Sequence, residues 1–402
     1  HMNVLLVNQY YPPDTSATAV ILKETADALL KVSNVTIIAG RPSYNPTTKH
    51  GIYLSRSECS GQLRIERVGS TSYDRAFLIG RILNYLTYLL LTLLKGLAVN
   101  PKPDVIISMT DPPIAAFVGA FISIVRRSTF IYVIQDFHPD LAQAMGIPIP
   151  NLLNRIWNFL NIKLLQYSKS VIVLGEDMKD RLVRSKGINP NKIHVVRSGS
   201  TEFPISKTDG TKIIKSIRGD YDFVALHAGN LGYVGNFKLI IDAFHNLTDH
   251  SIGLVFVGQG VLKTNLIKYA KDMDNIKFLN FYPKDELRHV YSAADLHIVS
   301  IKSGLEGLVL PSKLYSVLKA GKPLLANAPI ESDVSKIINE YGCGITNDTD
   351  DASTISNAIL ELKGDSVLLE KMSLSSARAA EVFDREKQLE KFTEIVGRYG
   401  EN

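Results

Sequence analysis

The sequence has few of the residues that build disulfide frameworks or metal sites. Only two of its 402 residues are cysteines, Cys59 and Cys343, and they lie 284 positions apart with no CxxC spacing. Neither a disulfide-stabilised fold nor a structural zinc site is supported, and a reducing cytoplasmic location is expected. The first two residues, His-Met, look like a cloning remnant. They are not followed by the basic segment, apolar segment and cleavage site that make up a signal peptide, so no signal peptide is expected.

No hydrophobic run reaches the length of about 20 residues that a membrane span requires. In the most apolar segment, 76–99, the longest uncharged run is 82–94, with 13 residues, and the second apolar segment, 112–125, has 14. Both are predicted to form buried helices beside a sheet. The first could also lie partly against a membrane interface, with its cations reaching toward the headgroups. These cations are Arg75, Arg81 and Lys95.

Basic residues are concentrated in the first half of the chain. Residues 1–200 contain 22 Lys and Arg against 13 Asp and Glu, a net charge of +9, whereas residues 201–402 contain 23 against 27, a net charge of −4. This asymmetry predicts that the first half meets an anionic membrane surface or a phosphate-bearing substrate. The sequence has no aromatic-interleaved basic stripe and no helix-turn-helix or zinc-finger spacing, so nucleic acid is not expected as a partner.

Short β-branched runs alternate with helical patterns, and the chain length predicts two domains. The runs of the first half are uniformly apolar, which is typical of strands covered on both faces. The predicted strands are 4–8, 35–39, 65–68, 105–108, 130–134, 171–174, 194–197, 223–227, 254–257, 276–280, 296–300 and 323–326. The predicted helices are 17–30, 76–97, 114–125, 152–167, 178–184, 237–245, 262–271, 284–293, 312–319, 330–339 and 352–362.

This alternation predicts an α/β fold of two Rossmann-like domains, each with a doubly wound parallel sheet. We expect an N-terminal domain over 1–204 and a second domain over 205–376, with 201–219 as a polar connection. A final helix, 377–399 within the terminal segment 377–402, would pack back on the first domain. The carboxyl edges of the two sheets would then face a cleft, which is where open α/β sheets bind ligands.

Polar residues follow two predicted strands of the first half. Asp14, Thr15 and Ser16 precede a helix, where they either cap it or leave N–H groups free for a phosphate. After the fifth strand, Asp136 and His138 could hold an acceptor hydroxyl and receive its proton, although Asp136 could equally cap the following turn. No GxGxxG motif is present, which disfavours a nicotinamide or flavin enzyme.

Glycines follow three predicted strands of the second half, at 229–232, 258–260 and 304–307. Small residues at strand ends let a ligand approach the backbone. The helix after the third loop begins at Pro311, Ser312 and Lys313, where a lysine opposes the helix dipole unless an anion offsets its charge. We therefore predict that this helix start seats a diphosphate. The isolated histidines are interpreted as structural, including His227, His245 and His297.

These pieces, taken in order, resemble a known family. The matching segments are 10–13, 134–139, 171–174, 229–232, 257–260, 294–296, 311–315 and 320–323. Nearly the whole chain resembles the GT-B glycosyltransferases of family 4, which are retaining, metal-independent and use nucleotide sugars. The most similar subgroup builds bacterial O-antigen, capsule or exopolysaccharide units, and includes N-acetyl-fucosamine-type transferases.

The resemblance implies a UDP-sugar donor, a lipid-diphosphate-linked saccharide acceptor, no cofactor or metal, and a peripheral position on the inner face of the cytoplasmic membrane. Together with the strand-end residues it implies catalytic roles for Asp136, His138 and Lys313. The expected donor-binding residues are Ser16, Gly229, Asn230, Gly232, Lys238, Gly258, Gln259, Gly260, Tyr282, Glu306, Gly307, Ser312, Lys313 and Ser316.

The chain also departs from the family pattern. Of two glutamates near the donor, Glu306 matches the first, while the second is replaced by Leu314 or by Ser316, depending on the register. Gln135 stands where a histidine is frequent, and the Arg and Lys expected after the Gly229 loop are missing. Two alternatives therefore stay open: a transferase or epimerase of the same shape with a small soluble acceptor or none, and a non-catalytic nucleotide-binding partner.

Overall fold

A computed structural model describes residues 1–42, 54–73, 78–309 and 313–400, and these form two α/β domains as predicted. The first domain has eight strands: β1 (Met2–Val7), β2 (Ser33–Gly40), β3 (Ser55–Ser60), β4 (Leu63–Val68), β5 (Val105–Ser108), β6 (Thr129–Val133), β7 (Ser170–Val173) and β8 (Ile193–Val195). Its helices are α1 (Ala17–Leu29), α2 (Leu78–Ala98), α3 (Ala115–Arg126), α4 (Asp140–Ala144), α5 (Asn151–Tyr167) and α6 (Glu176–Lys186).

The first sheet has the strand order β3-β4-β2-β1-β5-β6-β7-β8. All neighbouring strands are parallel except β3 and β4, which are antiparallel. The central strands β1 and β5 are buried at nearly every position, in agreement with their uniformly apolar sequence. Parallel strands need helical crossovers on both faces, so the carboxyl ends of these strands lie together at one edge.

The second domain contains six parallel strands in the order β11-β10-β9-β12-β13-β14. They are β9 (Phe223–Ala228), β10 (Ile252–Val257), β11 (Ile276–Leu279), β12 (Leu296–Ser300), β13 (Leu324–Asn327) and β14 (Gly344–Asn347). The remaining helices are α7 (Thr211–Arg218), α8 (Phe237–His245), α9 (Lys263–Tyr269), α10 (Leu287–Ser292), α11 (Lys313–Lys319), α12 (Asp333–Tyr341), α13 (Ala352–Gly364), α14 (Ser366–Val382) and α15 (Arg385–Gly397). None of the described helices combines the length and hydropathy that crossing a membrane requires.

Several elements differ from the sequence-based expectation. The strand β3 has no apolar pattern because it lies at an edge of the sheet and all of its residues are exposed. The region expected to be a polar connection contains α7, which buries Ile213 and Ile217 against β9 and β10. The helices α4 and α14 and the strand β14 were also not predicted.

The segment expected to be one terminal helix is divided between two helices. The helix α14 ends at Val382, and Asp384 caps α15 by accepting from the backbone N–H of Glu386 at 2.9 Å. The first of these helices packs on α11 of the second domain, and the second packs on α1 of the first domain. The break arises where the chain crosses back between the domains. Here the N–H of Arg385 donates to the carbonyl of Ser200 at 2.9 Å.

Candidate active site

Three titratable groups meet at the carboxyl edge of the first sheet. Asp136 and His138 follow β6, as predicted, and Asp111 follows the neighbouring β5. Burial raises the pKa of Asp111, and the nearby charge of Asp136 raises it further, whereas a hydrogen bond from Thr18 and the charge of His138 lower it. Burial also raises the pKa of Asp136. Sequence analysis missed Asp111, although its place directly after a buried strand is the same signal that identified Asp136.

His138 is held by its ring and its backbone. The imidazole stacks on Trp157 with the ring centroids 6.2 Å apart and the planes 9° from parallel. The amide of Asn161 donates to the carbonyl of His138 at 2.9 Å. Burial lowers the pKa of His138, so the ring is neutral at neutral pH. Its Nδ1 is buried and has no hydrogen-bond partner among the described residues.

Ser16 acts as the N-cap of α1. Its hydroxyl oxygen accepts from the backbone N–H of Ala19 at 3.1 Å, and its side chain is buried. This geometry matches the capping alternative of the sequence analysis. The donor-binding role expected for Ser16 would require this hydroxyl to serve a ligand in addition to the helix.

A cavity of about 240 Å³ lies beside the carboxyl end of β9 in the second domain. Four predicted donor-binding residues line it: Gly229, Asn230, Gly232 and Lys313. Burial and the charge of Lys284 lower the pKa of Lys313. No carboxylate of the described residues lies within 4.0 Å of its ammonium group. Pro311 and Ser312, predicted to begin this helix, lie outside the described residues.

His227 also lines this cavity, although the sequence analysis interpreted it as structural. Its Nδ1 donates to the carbonyl of Ile298 at 3.0 Å, and burial together with the charge of Lys313 lowers its pKa. A Cβ built on Gly229 would lie 3.5 Å from the imidazole and 3.7 Å from Cγ of Lys313. The glycine therefore lies between His227 and Lys313, which line the cavity together with two further ionisable side chains, Tyr291 and His297.

Gly258 and Gly260 allow a close contact between two loops of the second domain. A Cβ on Gly258 would lie 1.9 Å from the carbonyl oxygen of Gly229, and one on Gly260 would lie 2.4 Å from that of Leu231. These glycines thus let the loops after β9 and β10 touch each other, and their backbone faces protein rather than open space. Between them, the Gln259 side chain donates to Asn280 at 2.7 Å.

Three other predicted donor-binding residues do not line the cavity beside Lys313. The ammonium of Lys238 lies over the ring of Tyr269, 5.1 Å from its centroid. Tyr282 packs against the apolar cluster under α7. Ser316 lies beside the hydroxyl of Tyr291. Lys263, which the sequence analysis did not select, donates to the carbonyl of Gly258 at 2.8 Å and so holds the loop after β10.

The loop after β12 meets the first domain. Arg181 of α6 donates from Nε and Nη2 to the carbonyl of Glu306, at 3.0 and 2.8 Å. The Glu306 carboxylate accepts from the N–H of Gly304 at 2.7 Å, within its own loop. Gly307 has a φ of +73°, and a Cβ there would lie 2.6 Å from the carbonyl oxygen of Asp177. Glu306 and Gly307 therefore join the two domains in this structure.

The same loop reaches the residues after β6. The N–H of Phe137 donates to the carbonyl of Leu308 at 3.4 Å, and Phe137 is buried between the domains. Asp136 is the neighbour of Phe137, and the chain runs from Leu308 toward Lys313. The segment after β6 and the loop after β12 are therefore in contact. No described group of three or more His, Cys, Asp or Glu side chains is arranged to hold a metal ion.

A family model described as "Glycosyl transferases group 1" matches residues 211–378. The match lies within the second domain and covers less than half of the chain. This match agrees with the expected enzyme class, a glycosyltransferase. The narrower assignment to family 4 and the retaining stereochemistry stay predictions.

Two curated relatives that are named as glycosyltransferases match parts of this chain. The probable glycosyltransferase WbjE of Pseudomonas aeruginosa is 24% identical over 274 residues, which are 65% of this chain and 66% of WbjE. The putative colanic acid biosynthesis glycosyl transferase WcaI of Escherichia coli K12 is 28% identical over 120 residues, 29% of this chain and 30% of WcaI. The chain thus matches just under two thirds of the first relative and less than a third of the second.

Solved structures show the same two-domain fold. The sucrose-phosphate synthase of Thermosynechococcus elongatus superposes with a TM-score of 0.73 at 12% identity, covering 99% of both chains. Anabaena Alr3699/HepE, in complex with UDP and glucose, superposes with a TM-score of 0.70 at 15% identity, covering 99% of this chain and all of the other. The predicted GT-B architecture is therefore confirmed.

Proposed function

We propose that the chain is a retaining glycosyltransferase that moves a sugar from a UDP-sugar to a lipid-diphosphate-linked acceptor in the synthesis of a bacterial surface polysaccharide. The sugar is expected to be an N-acetylated hexosamine or deoxyhexosamine. The observation that carries the proposal is the hydrogen bond between Phe137 and Leu308, because it joins the segment after β6, which contains Asp136, to the loop after β12 in the second domain. The name of WcaI and the UDP bound by HepE support the pathway and the donor class.

Lys313 is proposed to stabilise the leaving diphosphate. When a sugar leaves a diphosphate, negative charge grows on the departing oxygen, and a positioned cation lowers the energy of that state. Burial, together with the charge of the nearby Lys284, lowers the pKa of Lys313. A diphosphate between these two lysines would remove the repulsion and pair both charges. Asn230 and Gly229 line the same cavity.

Asp136 and His138 are proposed to orient the acceptor hydroxyl. In a retaining transfer without a covalent intermediate, the acceptor attacks from the side of the leaving group, and the departing phosphate oxygen takes the proton of the attacking hydroxyl. The residues after β6 then need only hold that hydroxyl in line with the anomeric carbon. The carboxylate of Asp136 offers a hydrogen-bond acceptor for this purpose, and the neutral imidazole of His138 lies in the same group of residues around Asp111.

An apolar face on the first domain supports a membrane-bound acceptor over a small soluble one. The helices α2, α3 and α5 lie side by side and expose large apolar side chains: Ile79, Ile82, Leu83, Leu86, Leu90, Leu94, Phe121, Ile124, Val125, Leu152, Leu153, Ile156, Phe159 and Leu160. Contiguous apolar surface of this extent marks an interaction site. Exposed cations accompany it on the same helices or directly after them: Arg127, Arg155 and Lys163. We propose that this face rests on an anionic membrane.

Lys95 does not take part in this contact, contrary to the sequence-based expectation. Its ammonium lies 2.8 Å from the carboxylate of Glu66, which is 1% exposed. The pair therefore anchors the end of α2 to β4. Arg75 lies outside the described residues, and the side chain of Arg81 is likewise outside them.

Nucleotide binding followed by transfer tests the function. A panel of nucleoside diphosphates in a thermal-shift assay should show the largest rise in Tm with UDP. UDP-sugars are then assayed with a lipid-diphosphate saccharide and with a free sugar, and the anomeric configuration of the product is read by NMR. Transfer to the free sugar alone would favour the soluble-acceptor alternative. Binding of UDP with no transfer from any donor would favour the non-catalytic partner.

Vesicle flotation tests the membrane face. The double variant Ile124→Asp and Phe159→Asp should lose most of its binding to vesicles that contain anionic lipid. The matched control is Leu374→Asp on α14, whose side chain is 55% exposed and lies on the second domain. Equal binding by the variant and the control would contradict a contact through α3 and α5.

A further inference from the structure

A second, larger cavity lies in the first domain between α2 and the segments that flank β4. It is a groove of about 780 Å³ with mainly apolar walls, including Leu54, Tyr73, Leu90 and Leu91. Leu54, Tyr73 and Leu90 are 76%, 55% and 57% exposed, so the described protein leaves the apolar walls of the groove open to solvent. Leu90 belongs to both the groove and the exposed face of α2.

Polar residues of α2 hold one wall of the groove in place. Asn84 accepts from the hydroxyl of Thr71 at 2.9 Å and from the N–H of Tyr73 at 3.0 Å, and its amide donates to the carbonyl of Tyr73 at 2.9 Å. Thr87 accepts from the N–H of Thr71 at 3.0 Å. Asn84 is 8% exposed. These hydrogen bonds explain why a buried amide occurs on an otherwise apolar helix. They hold this wall of the groove in place without a ligand.

Arg41 supplies a cation at the groove. Its Nη2 donates to the carbonyl of Ser70 at 3.3 Å. No carboxylate of the described residues lies within 4.0 Å of its guanidinium, whereas Arg64 pairs with Glu66 and Arg67 with Glu58. The groove thus combines apolar walls with one guanidinium that has no acidic partner in the described part of the chain. This combination fits an amphiphile with a phosphate head.

The groove lies at the same edge of the sheet as Asp136. The N–H of Gly40, next to Arg41, donates to the carbonyl of Gln9 at 2.8 Å, and the N–H of Gln9 donates to that of Asp111 at 2.9 Å. Asp111 in turn lies close enough to Asp136 for their charges to interact. Three strand spacings separate β2 from β6, a distance of roughly 14 Å.

We propose that this groove binds the lipid diphosphate of the acceptor, with Arg41 on a phosphate and the first part of the lipid chain along Leu90 and Leu91. The inference rests on the proposed function for the identity of the acceptor. The rest of the chain would leave the groove along the exposed face of α2 and enter the bilayer. The separation from Asp136 means that the reacting hydroxyl belongs to a sugar already attached to the diphosphate.

Titration calorimetry with farnesyl diphosphate, farnesol and inorganic pyrophosphate tests the site on the full chain. Farnesyl diphosphate should bind at least about tenfold more tightly than either of the other two. Arg41→Gln should weaken farnesyl diphosphate about tenfold or more, because a charge-assisted contact is lost, and leave farnesol unchanged. Leu91→Asn should weaken both farnesyl compounds. Arg56→Gln, an exposed arginine on β3, controls for net charge.

The outcomes separate this site from the proposed function. Equal affinities for farnesyl diphosphate and farnesol, or equal losses in the Arg41→Gln and Arg56→Gln variants, would overturn the groove assignment. The thermal shift with UDP should be the same in all variants, which shows that the fold and the donor site are intact. If farnesyl diphosphate binds as expected while no sugar is transferred to any lipid acceptor, the proposed function fails and the lipid diphosphate site stands.

Discussion

Asp177 and Asp333 cap each other's helices across the domain boundary. The Oδ2 of Asp177, in the first turn of α6, accepts from the N–H of Asp333 at 2.9 Å. The Oδ1 of Asp333, in the first turn of α12, accepts from the N–H of Glu176 at 3.1 Å. Burial, reinforced by the charge of Asp333, raises the pKa of Asp177. Arg197 compensates this charge by donating to the Asp333 carboxylate at 3.0 and 3.2 Å.

Replacing Arg197 should destabilise the protein strongly. In Arg197→Met the carboxylate of Asp333, only 1% exposed, loses its cation, and breaking a buried pair in this way costs about 3–5 kcal/mol. The free energy of unfolding, followed in urea by the fluorescence of Trp157, should fall by that amount. The control Lys336→Gln breaks the pair with Asp180, whose side chains are 37% and 44% exposed, and should change stability by about 1 kcal/mol or less. Equal losses of unfolding free energy in both variants would show that burial of the pair between Arg197 and Asp333 does not add to stability.

Lys313→Ala should reduce turnover about a hundredfold or more and leave the fold intact. Removing one donor that stabilises developing charge typically raises the barrier by about 2.7–4 kcal/mol. Steady-state kinetics with the donor identified by thermal shift would measure the effect. Lys319→Ala is the matched control, because Lys319 lies at the other end of α11 and pairs with Glu202. Turnover close to that of the unaltered protein in Lys313→Ala would reject the assignment.

The pH dependence of transfer should report the ionisation of Asp136. Burial holds its pKa above the ordinary value of 3.8, so the carboxylate gains its proton at a higher pH than an exposed aspartate does. If the ionised form holds the acceptor hydroxyl, kcat/KM falls as the pH drops through this raised pKa. Asp136→Asn should be slower and should lose this acid limb. The control Asp104→Asn, at the opposite edge of the sheet, should keep the acid limb. An acid limb that persists in Asp136→Asn would contradict the proposed role of Asp136.

Gly258→Ala should separate the loops after β9 and β10. The new Cβ would lie 1.9 Å from the carbonyl oxygen of Gly229, so the backbone must shift, and overpacking of this kind costs about 1–3 kcal/mol. Both the Tm and the thermal shift with UDP should decrease, because Gly229 lines the cavity beside Lys313. Gly364→Ala, with no atom within 4 Å of the added carbon, should leave Tm unchanged or raise it slightly. If Gly258→Ala shows the same thermal shift with UDP as the unaltered protein, the contact between these loops is not needed for donor binding.

The sequence predicted the elements whose pattern is local. The strands β5 and β12 and the helix α8 occupy the predicted residues, because continuous apolar runs and a helical period suffice to mark them. The strand β3 could not be recognised, since its polar residues are ordered by hydrogen bonds to β4 and not by burial. In α7 only two buried isoleucines point to the core, within a lysine-rich stretch.

The site was predictable where strand order alone determines it. Gly229 and Lys313 share one cavity wall because β9 and the connection after β12 meet at one edge of the sheet. The contacts of Gly258 with Gly229 and of Arg181 with Glu306 depend on how two loops or two domains approach each other. Residue spacing contains no signal for such approaches. For the same reason Arg41 could not be selected from the sequence, since its importance lies in lacking an acidic neighbour among the described residues.

The position of α15 has a consequence for protein synthesis. Its residues Phe392, Ile395 and Val396 belong to the same hydrophobic cluster as Val4 and Leu22. A ribosome therefore translates the entire second domain before it releases the residues that cover this patch on the first. The nascent chain must keep an unfinished apolar surface in water during that interval, when aggregation competes with folding. Chaperone capture is accordingly expected to matter most for chains stalled between α7 and α15.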